Sequence, residues 1–291
     1  MECPRCGFAH DTSVLECARC GVVVERYRGR RSSGPPGAAV DAPAIAGSED
    51  SRRELYVRAL AIPCALAASW TLSAAMPFVA GMTATWVHEG GHAVAAWLSG
   101  YAAFPGPWFT SVGGERSLFV TVLLVGLLSF GAYEAGQRRR WFSLAAAVVV
   151  VGLTLFCSLA LHPLEAQQLI TFSGDGGSFV LGTLLMLTMY ARDDHPLRRE
   201  RLRWACLVIG ALAFMDARAT WFGGVDGIPF GEDDRGLSDP SVLTEGYGWS
   251  VALLVGRYVQ LANGCLLVLA GGYAIGLATG GSFLKRARTA D

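Results

Sequence analysis

The sequence predicts an all-α polytopic membrane protein of about six or seven transmembrane helices with a small zinc ribbon at its N-terminus. Three observations predict it. Hydrophobic residues make up 52% of the chain and charged ones only 16%, and the apolar residues gather into long charge-free runs, a profile unlike that of a water-soluble globule. The polar residues gather in turn into short breaks between those runs. Finally, the first two dozen residues hold two matched Cys-x-x-Cys-Gly knuckles in a segment with no apolar core of its own.

Residues 1–24 are the predicted ribbon. Cys3, Cys6, Cys17 and Cys20 give four thiolates at a spacing that closes a tetrahedral zinc site, and the Gly after each pair permits the tight turn round a sulfur. With so little apolar material, metal binding would supply the folding free energy. Four protein ligands leave no open position, so a structural zinc is expected, with a redox pair as the alternative. Cys64, Cys157, Cys206 and Cys265 lie singly in apolar runs and read as small buried hydrophobes. No cleavable signal peptide is expected, because the first fifty residues contain no apolar h-region.

Residues 25–54, rich in Gly, Pro, Ala, Ser and Arg, read as a flexible linker. Its arginines suit the cytoplasmic face beside anionic lipid. No aromatic platform accompanies them, so no nucleic-acid partner is expected.

Residues 55–291 form the predicted membrane domain, with apolar runs at about 55–76, 78–98, 118–136, 141–161, 178–191, 204–222 and 249–279. Arg138–Arg140, the segment Arg192–Arg203 and Lys285–Arg288 are basic and should face the cytoplasm, whereas loop 223–248, with Asp226, Glu232, Asp233, Asp234, Asp239 and Glu245, is acidic and should face outside. Both termini are therefore expected in the cytoplasm. One conflict remains upstream. A cytoplasmic N-terminus and a cytoplasmic Arg138 need an even number of crossings, yet three runs lie between them, so one run or the loop 100–117 must enter and leave on one side. Gly126, Gly152, Gly182, Gly210 and Gly264 sit inside runs and predict close helix–helix packing.

The chemistry concentrates in Trp86-Val87-His88-Glu89-Gly90-Gly91-His92. Residues four apart share a helix face, so His88 and His92 can direct imidazole nitrogens at one metal ion while Glu89 reaches its water as general base. The chain has only five histidines, and ionisable groups in a membrane segment usually mark function. A catalytic zinc needs a third protein ligand, and the depth of the runs favours Asp175 in Ser173-Gly174-Asp175-Gly176-Gly177. From Asp175 to Arg192 a helix spans about 25 Å, less than the roughly 30 Å hydrocarbon core. With Arg192 at one interface, Asp175 falls below the other, at a depth matching His88. The glycines around it predict irregular backbone covered by protein or lining a water cavity, or a helix N-cap at Asp175.

These motifs resemble the site-2 protease family of intramembrane zinc metalloproteases, which carry H-E-x-x-H on one core transmembrane helix and an aspartate ligand in a D-G motif near the start of another. The counterparts are His88, Glu89 and His92, with Asp175 in Asp175-Gly176-Gly177. The resemblance covers about residues 78–191. The proline-containing approach often seen before the D-G motif is absent, since Leu169-Ile170-Thr171-Phe172-Ser173-Gly174 stands there. His162, followed by Glu165, is therefore the alternative third ligand.

The resemblance implies a catalytic zinc, which with the structural zinc of the cysteine knuckles makes two zinc ions per chain. It also implies cleavage of a peptide bond in or near a transmembrane segment of a membrane-tethered substrate, and a cytoplasmic protein as partner of the zinc ribbon. Loop 100–117, with Pro105, Pro107, Gly113 and Gly114, offers an extended edge for strand addition or a plain connection. The alternative function is a non-proteolytic metal-binding sensor or scaffold of the same family. A different metal-dependent membrane enzyme ranks below both, an oxidase lowest, because it would want more ligands at helical spacing. Arg257, Gln260 and Asn263 share a face of the last run, where they line a water path, stabilise an oxyanion or bond neighbouring helices. Asp216 and Arg218 lie on different faces and need separate partners, with Asp216–Arg257 as a candidate pair.

Overall fold

The computed structural model describes residues 42–191, 202–233 and 236–288, together with Ala9. The four thiols of the predicted ribbon and most of the predicted linker lie outside the described residues, as does most of the basic segment Arg192–Arg203. The chain divides into two compact units, Met1–Asp50 and Ser51–Asp291, and the second carries the helical bundle and the site described below.

The chain is mainly helical. Helix α1 spans Ala42–Ala75, so the predicted linker is already helical over its last residues, where Ala-rich sequence follows Pro43 near the helix start. Met76 alone separates α1 from α2, Pro77–Leu98, which opens with proline at its first position. A β-hairpin follows, β1 Tyr101–Pro105 and β2 Thr110–Arg116, paired antiparallel from Tyr101↔Arg116 to Pro105↔Thr110. Helices α3, Leu118–Gln137, and α4, Trp141–Leu155, form an antiparallel pair. Then come α5, Pro163–Leu187, α6, Leu202–Phe222, and α7, Val251–Arg288.

Among the described residues six segments are long and apolar enough to cross a membrane: Arg53–Ala75, Leu118–Gln137, Trp141–Ala160, Pro163–Tyr190, Leu202–Phe222 and Val251–Thr279. The chain is thus consistent with a multi-pass membrane protein. Helix α2 is not among the six, because His88, Glu89 and His92 dilute its apolar residues. Of the three runs before Arg138, two qualify as spans.

Half of the α5 and α6 spans is buried, against 11% for α3 and 17% for α4; the first two are central and the last two peripheral. The core clusters where α5, α6 and α7 meet, around Phe179, Met186, Phe214, Trp221, Leu254 and Tyr258. Lipid is as apolar as these side chains, so shape and hydrogen bonds hold the bundle more than hydrophobicity does. At one crossing α5 and α6 touch backbone to backbone, since a Cβ on Gly182 would lie 2.7 Å from the Gly210 carbonyl oxygen and one on Gly210 2.6 Å from that of Gly182. This matches expectation. Gly126, Gly152 and Gly264 do not, for nothing lies within 4 Å of a Cβ built there.

Residues Ser173–Gly177, expected as irregular backbone or a helix start, lie inside α5. The physical reason is α2. Gly91 and Gly177 meet backbone to backbone, and side chains at either position would strike the opposing chain. This approach offsets the roughly 1 kcal/mol that each glycine costs a helix. Helices α2 and α5 run antiparallel, with Ala84 and Val87 near Leu185 and Leu181 and Ala95 and Ala96 near Ala166 and Ile170.

The hairpin returns along α2. Its base is closed by Ser117 N–H to Gly100 O at 2.7 Å, with Gly100 at φ +80°. Trp97 Nε1 donates to Ala103 O on β1 (3.0 Å), and Thr110 Oγ1 at the head of β2 donates to the Glu89 carbonyl (2.8 Å). Ser158, in the π-helical turn Phe156–Ala160 after α4, donates to Leu98 O, and Arg116 Nη2 donates to Cys157 O.

Candidate metal centre

His88 and His92 project from one face of α2, as their spacing requires, and their Nε2 atoms stand 3.1 Å apart. The other ring nitrogen of each is committed. His92 Nδ1 lies 2.7 Å from the Ile170 carbonyl oxygen, which can only accept, so the proton sits on Nδ1. His88 Nδ1 lies 2.9 Å from Asp175 Oδ1, and the same reasoning applies to a carboxylate. Both Nε2 lone pairs are thereby turned toward each other, which is how outer partners set the ligating nitrogen of a metal-bound histidine.

A third donor completes the convergence. Asp239 Oδ2 lies 3.1 Å from His88 Nε2 and 3.0 Å from His92 Nε2. Three lone-pair donors this close repel unless positive charge stands between them, either a proton on a ring nitrogen or a metal ion. Zinc with ligand bonds of 2.0–2.1 Å has a tetrahedral edge of about 3.3 Å, close to these separations. Among the described residues His88, His92 and Asp239 are the group whose ligand atoms come near enough to hold an ion. Room for it comes from Gly174, where a Cβ would lie 2.5 Å from His88 Nε2 and 2.6 Å from His92 Nε2.

Asp175, expected as third ligand, stands behind His88 instead. Its Oδ1 holds Nδ1, and its Oδ2 accepts from Trp221 Nε1 at 2.8 Å. Trp221 stacks on Tyr258 (ring centroids 3.9 Å apart), Tyr258 stacks on Phe172 (4.2 Å), and the Tyr258 hydroxyl donates to Phe172 O. This aromatic column from α5, α6 and α7 fixes the carboxylate. His162 and Glu165, the alternative ligands, are occupied as the N-terminal cap of α5: Leu164 N–H donates to His162 Nδ1 and His162 N–H donates to Glu165 Oε2.

Asp239 comes from the loop after α6, where Asp239–Ser241 forms one helical turn preceded by Ser238. Gly224, Gly231, Gly236 and Gly248 all adopt positive φ, giving the bends that fold the loop back over α2. Gly231 N–H bonds Ser241 Oγ at 2.8 Å. Burial alone would raise the Asp239 carboxyl, but hydrogen bonds and charge from the two histidines outweigh burial and hold it well below the usual carboxylate range, so it is ionised at neutral pH. Charge pattern had assigned this loop only a side of the membrane. The one local signal at Asp239 is that Ser238-Asp239-Pro240 suits a helix start, which does not say what the loop meets.

Glu89 is 7% exposed and lines a cavity of about 420 Å³ with His88, His92, Thr110, Gln167 and Asp239. Trp108 and Phe109 of the hairpin tip lie at its edge. The remaining polar residues of interest lie elsewhere. Arg257, Gln260 and Asn263 are exposed and do not line this cavity, which removes the expected water-path and oxyanion roles there. Arg257 lies over the Trp249 ring at 4.2 Å and Arg218 over Phe222 at 4.7 Å; among the described residues Asp216 and Arg257 form no ion pair. No family model, curated protein or solved structure matches the chain, so the reading of this centre rests on its geometry.

Proposed function

We propose that the chain is an intramembrane zinc metallopeptidase that cleaves a peptide bond in or near a transmembrane segment of a membrane-tethered substrate. The observation that carries the proposal is the convergence of two Nε2 lone pairs and one carboxylate oxygen beside a cavity lined by Glu89. In this reading His88, His92 and Asp239 hold the ion, and Asp175 orients His88. The bound zinc supplies a Lewis acid that polarises the scissile carbonyl and lowers the pKa of water.

The residues of the chain do the rest. Glu89 takes a proton from the attacking water as its oxygen bonds the carbonyl carbon, then delivers that proton to the amine nitrogen as the C–N bond breaks. Gln167 and Thr171 give the cavity a polar wall that admits water. The substrate must be extended to be cut, because a helix hides its peptide groups in its own hydrogen bonds. Strand β2 runs along the cavity through Thr110 and Val112, and its sheet has two strands, so its outer edge can receive such a segment by strand addition. Trp108 and Phe109 favour an apolar side chain there.

Glu89→Gln tests the reading. The variant should keep its zinc and its fold yet lose cleavage of a membrane-tethered reporter by roughly 10²–10⁴-fold. Unchanged cleavage by Glu89→Gln removes the base. A wild-type protein that holds zinc but cuts no tethered reporter supports the sensor or scaffold reading instead.

A further inference from the structure

Helix α7 has two unlike faces. One, with Leu254, Tyr258, Ala262, Cys265 and Leu269, is buried in the core with α5 and α6. The other carries Arg257, Gln260, Gly264, Leu267 and Gly271, alternating four and three residues apart, and all are exposed. Leu267 is 76% exposed, and nothing lies within 4 Å of a Cβ built on Gly264 or Gly271. Asn263 flanks the row and is exposed as well.

This row lies within Val251–Thr279, an apolar span. In hydrocarbon the amides of Gln260 and Asn263 would each leave two N–H donors and a carbonyl without partners. A lipid-facing helix has no reason to place them there, so another helix must cover them. We propose that the cover is the same face of a second copy of this chain, packed across a two-fold axis.

The chemistry favours a copy of itself over an unrelated helix. A primary amide is both donor and acceptor, so Gln260 can bond its own symmetry mate with no complementary residue needed. The alternating spacing is that of a left-handed helix pair, and Gly264 and Gly271 let the two backbones approach. Arg257, the one group that would repel its mate, lies nearest the helix start. Its guanidinium sits over Trp249, which precedes the helix, and this draws the charge away from the seam toward the membrane surface. None of these residues lines the metal cavity, so the seam leaves the site free. The proposal rests on the apolar span and not on the chemistry of the metal centre, so it stands or falls separately from the peptidase reading.

The test uses the full chain co-expressed with two different tags and extracted in mild detergent. One tag should capture the other, and the double variant Gln260→Leu/Asn263→Leu should lower that capture about fivefold, the scale of one to two interhelical hydrogen bonds in a membrane. In native membranes Gly264→Cys should give a disulfide-linked dimer on oxidation beyond any seen with wild type, while Leu123→Cys, exposed on α3, should not. A wild-type protein that is monomeric overturns the proposal. So does capture that Gln260→Leu/Asn263→Leu leaves unchanged, or a Gly264→Cys cross-link to a different protein in place of a second copy. Should the double variant misfold, wild-type capture and the Gly264→Cys cross-link decide the matter alone.

Discussion

Gly174 has no side chain, and that absence leaves open the space between the two imidazoles. A methyl group there would stand 2.5 Å from His88 Nε2 and 2.6 Å from His92 Nε2, where the ion would sit. Gly174→Ala should therefore lower metal content at this centre by about tenfold or more while the helices persist, since alanine favours the α5 helix; elemental analysis beside circular dichroism measures both. The two aspartates should separate as well. Asp239→Ala removes one of the three converging donors and should empty the centre. Asp175→Asn keeps a hydrogen-bonding group behind His88 but removes its charge, and should weaken zinc affinity by about 10–100-fold. Titration with a competing chelator distinguishes them, and equal losses would mean that both carboxylates ligate. The histidine pair was legible in sequence because helical spacing alone places both rings on one face. Asp175 was legible as important, though not as standing one shell behind His88, because depth along a helix does not say which ring nitrogen a carboxylate reaches.

At the scale of elements, the α2–α5 crossing decides whether a centre forms. Gly91 lies against Gly177 and the Ser173 carbonyl with no space for a Cβ, so Gly91→Ala must push the helices apart. The expected cost is that of overpacking, about 1–3 kcal/mol, read as a lower unfolding temperature in detergent, together with weaker zinc binding. Gly126→Ala, at an open position on α3, should leave both unchanged. The run of glycines around Asp175 was expected to break the helix. Intrinsic propensity pointed that way, and tertiary packing overrode it by using glycine for close approach. Loop 100–117 was legible as an extended edge or a plain connection but not as a hairpin, because its pairing and its fold back to Glu89 depend on how it meets α2.

For the whole molecule, metal stoichiometry joins the readings. If the four N-terminal cysteines hold a structural zinc, the full chain should carry two ions and the His88→Ala/His92→Ala variant one. A variant still carrying two would place the second ion away from the membrane centre. Six apolar spans accompany one less apolar helix that carries His88 and His92, the pattern expected when a membrane protein shelters polar groups at its centre. Hydropathy revealed the spans well because hydrocarbon demands long apolar helices. It blurred α5, whose apolar run starts at about residue 178 although the helix starts at Pro163.

The amino-acid sequence by itself determined the helical, apolar class of the protein, the positions of most of its helices and the paired imidazoles, since each follows from periodicity or from local composition. Only the tertiary structure decided that Asp239 joins the histidines, that Asp175 backs His88 and that Gln260 faces outward. Those outcomes depend on which residues meet across elements distant in the chain, and no local pattern encodes such a meeting.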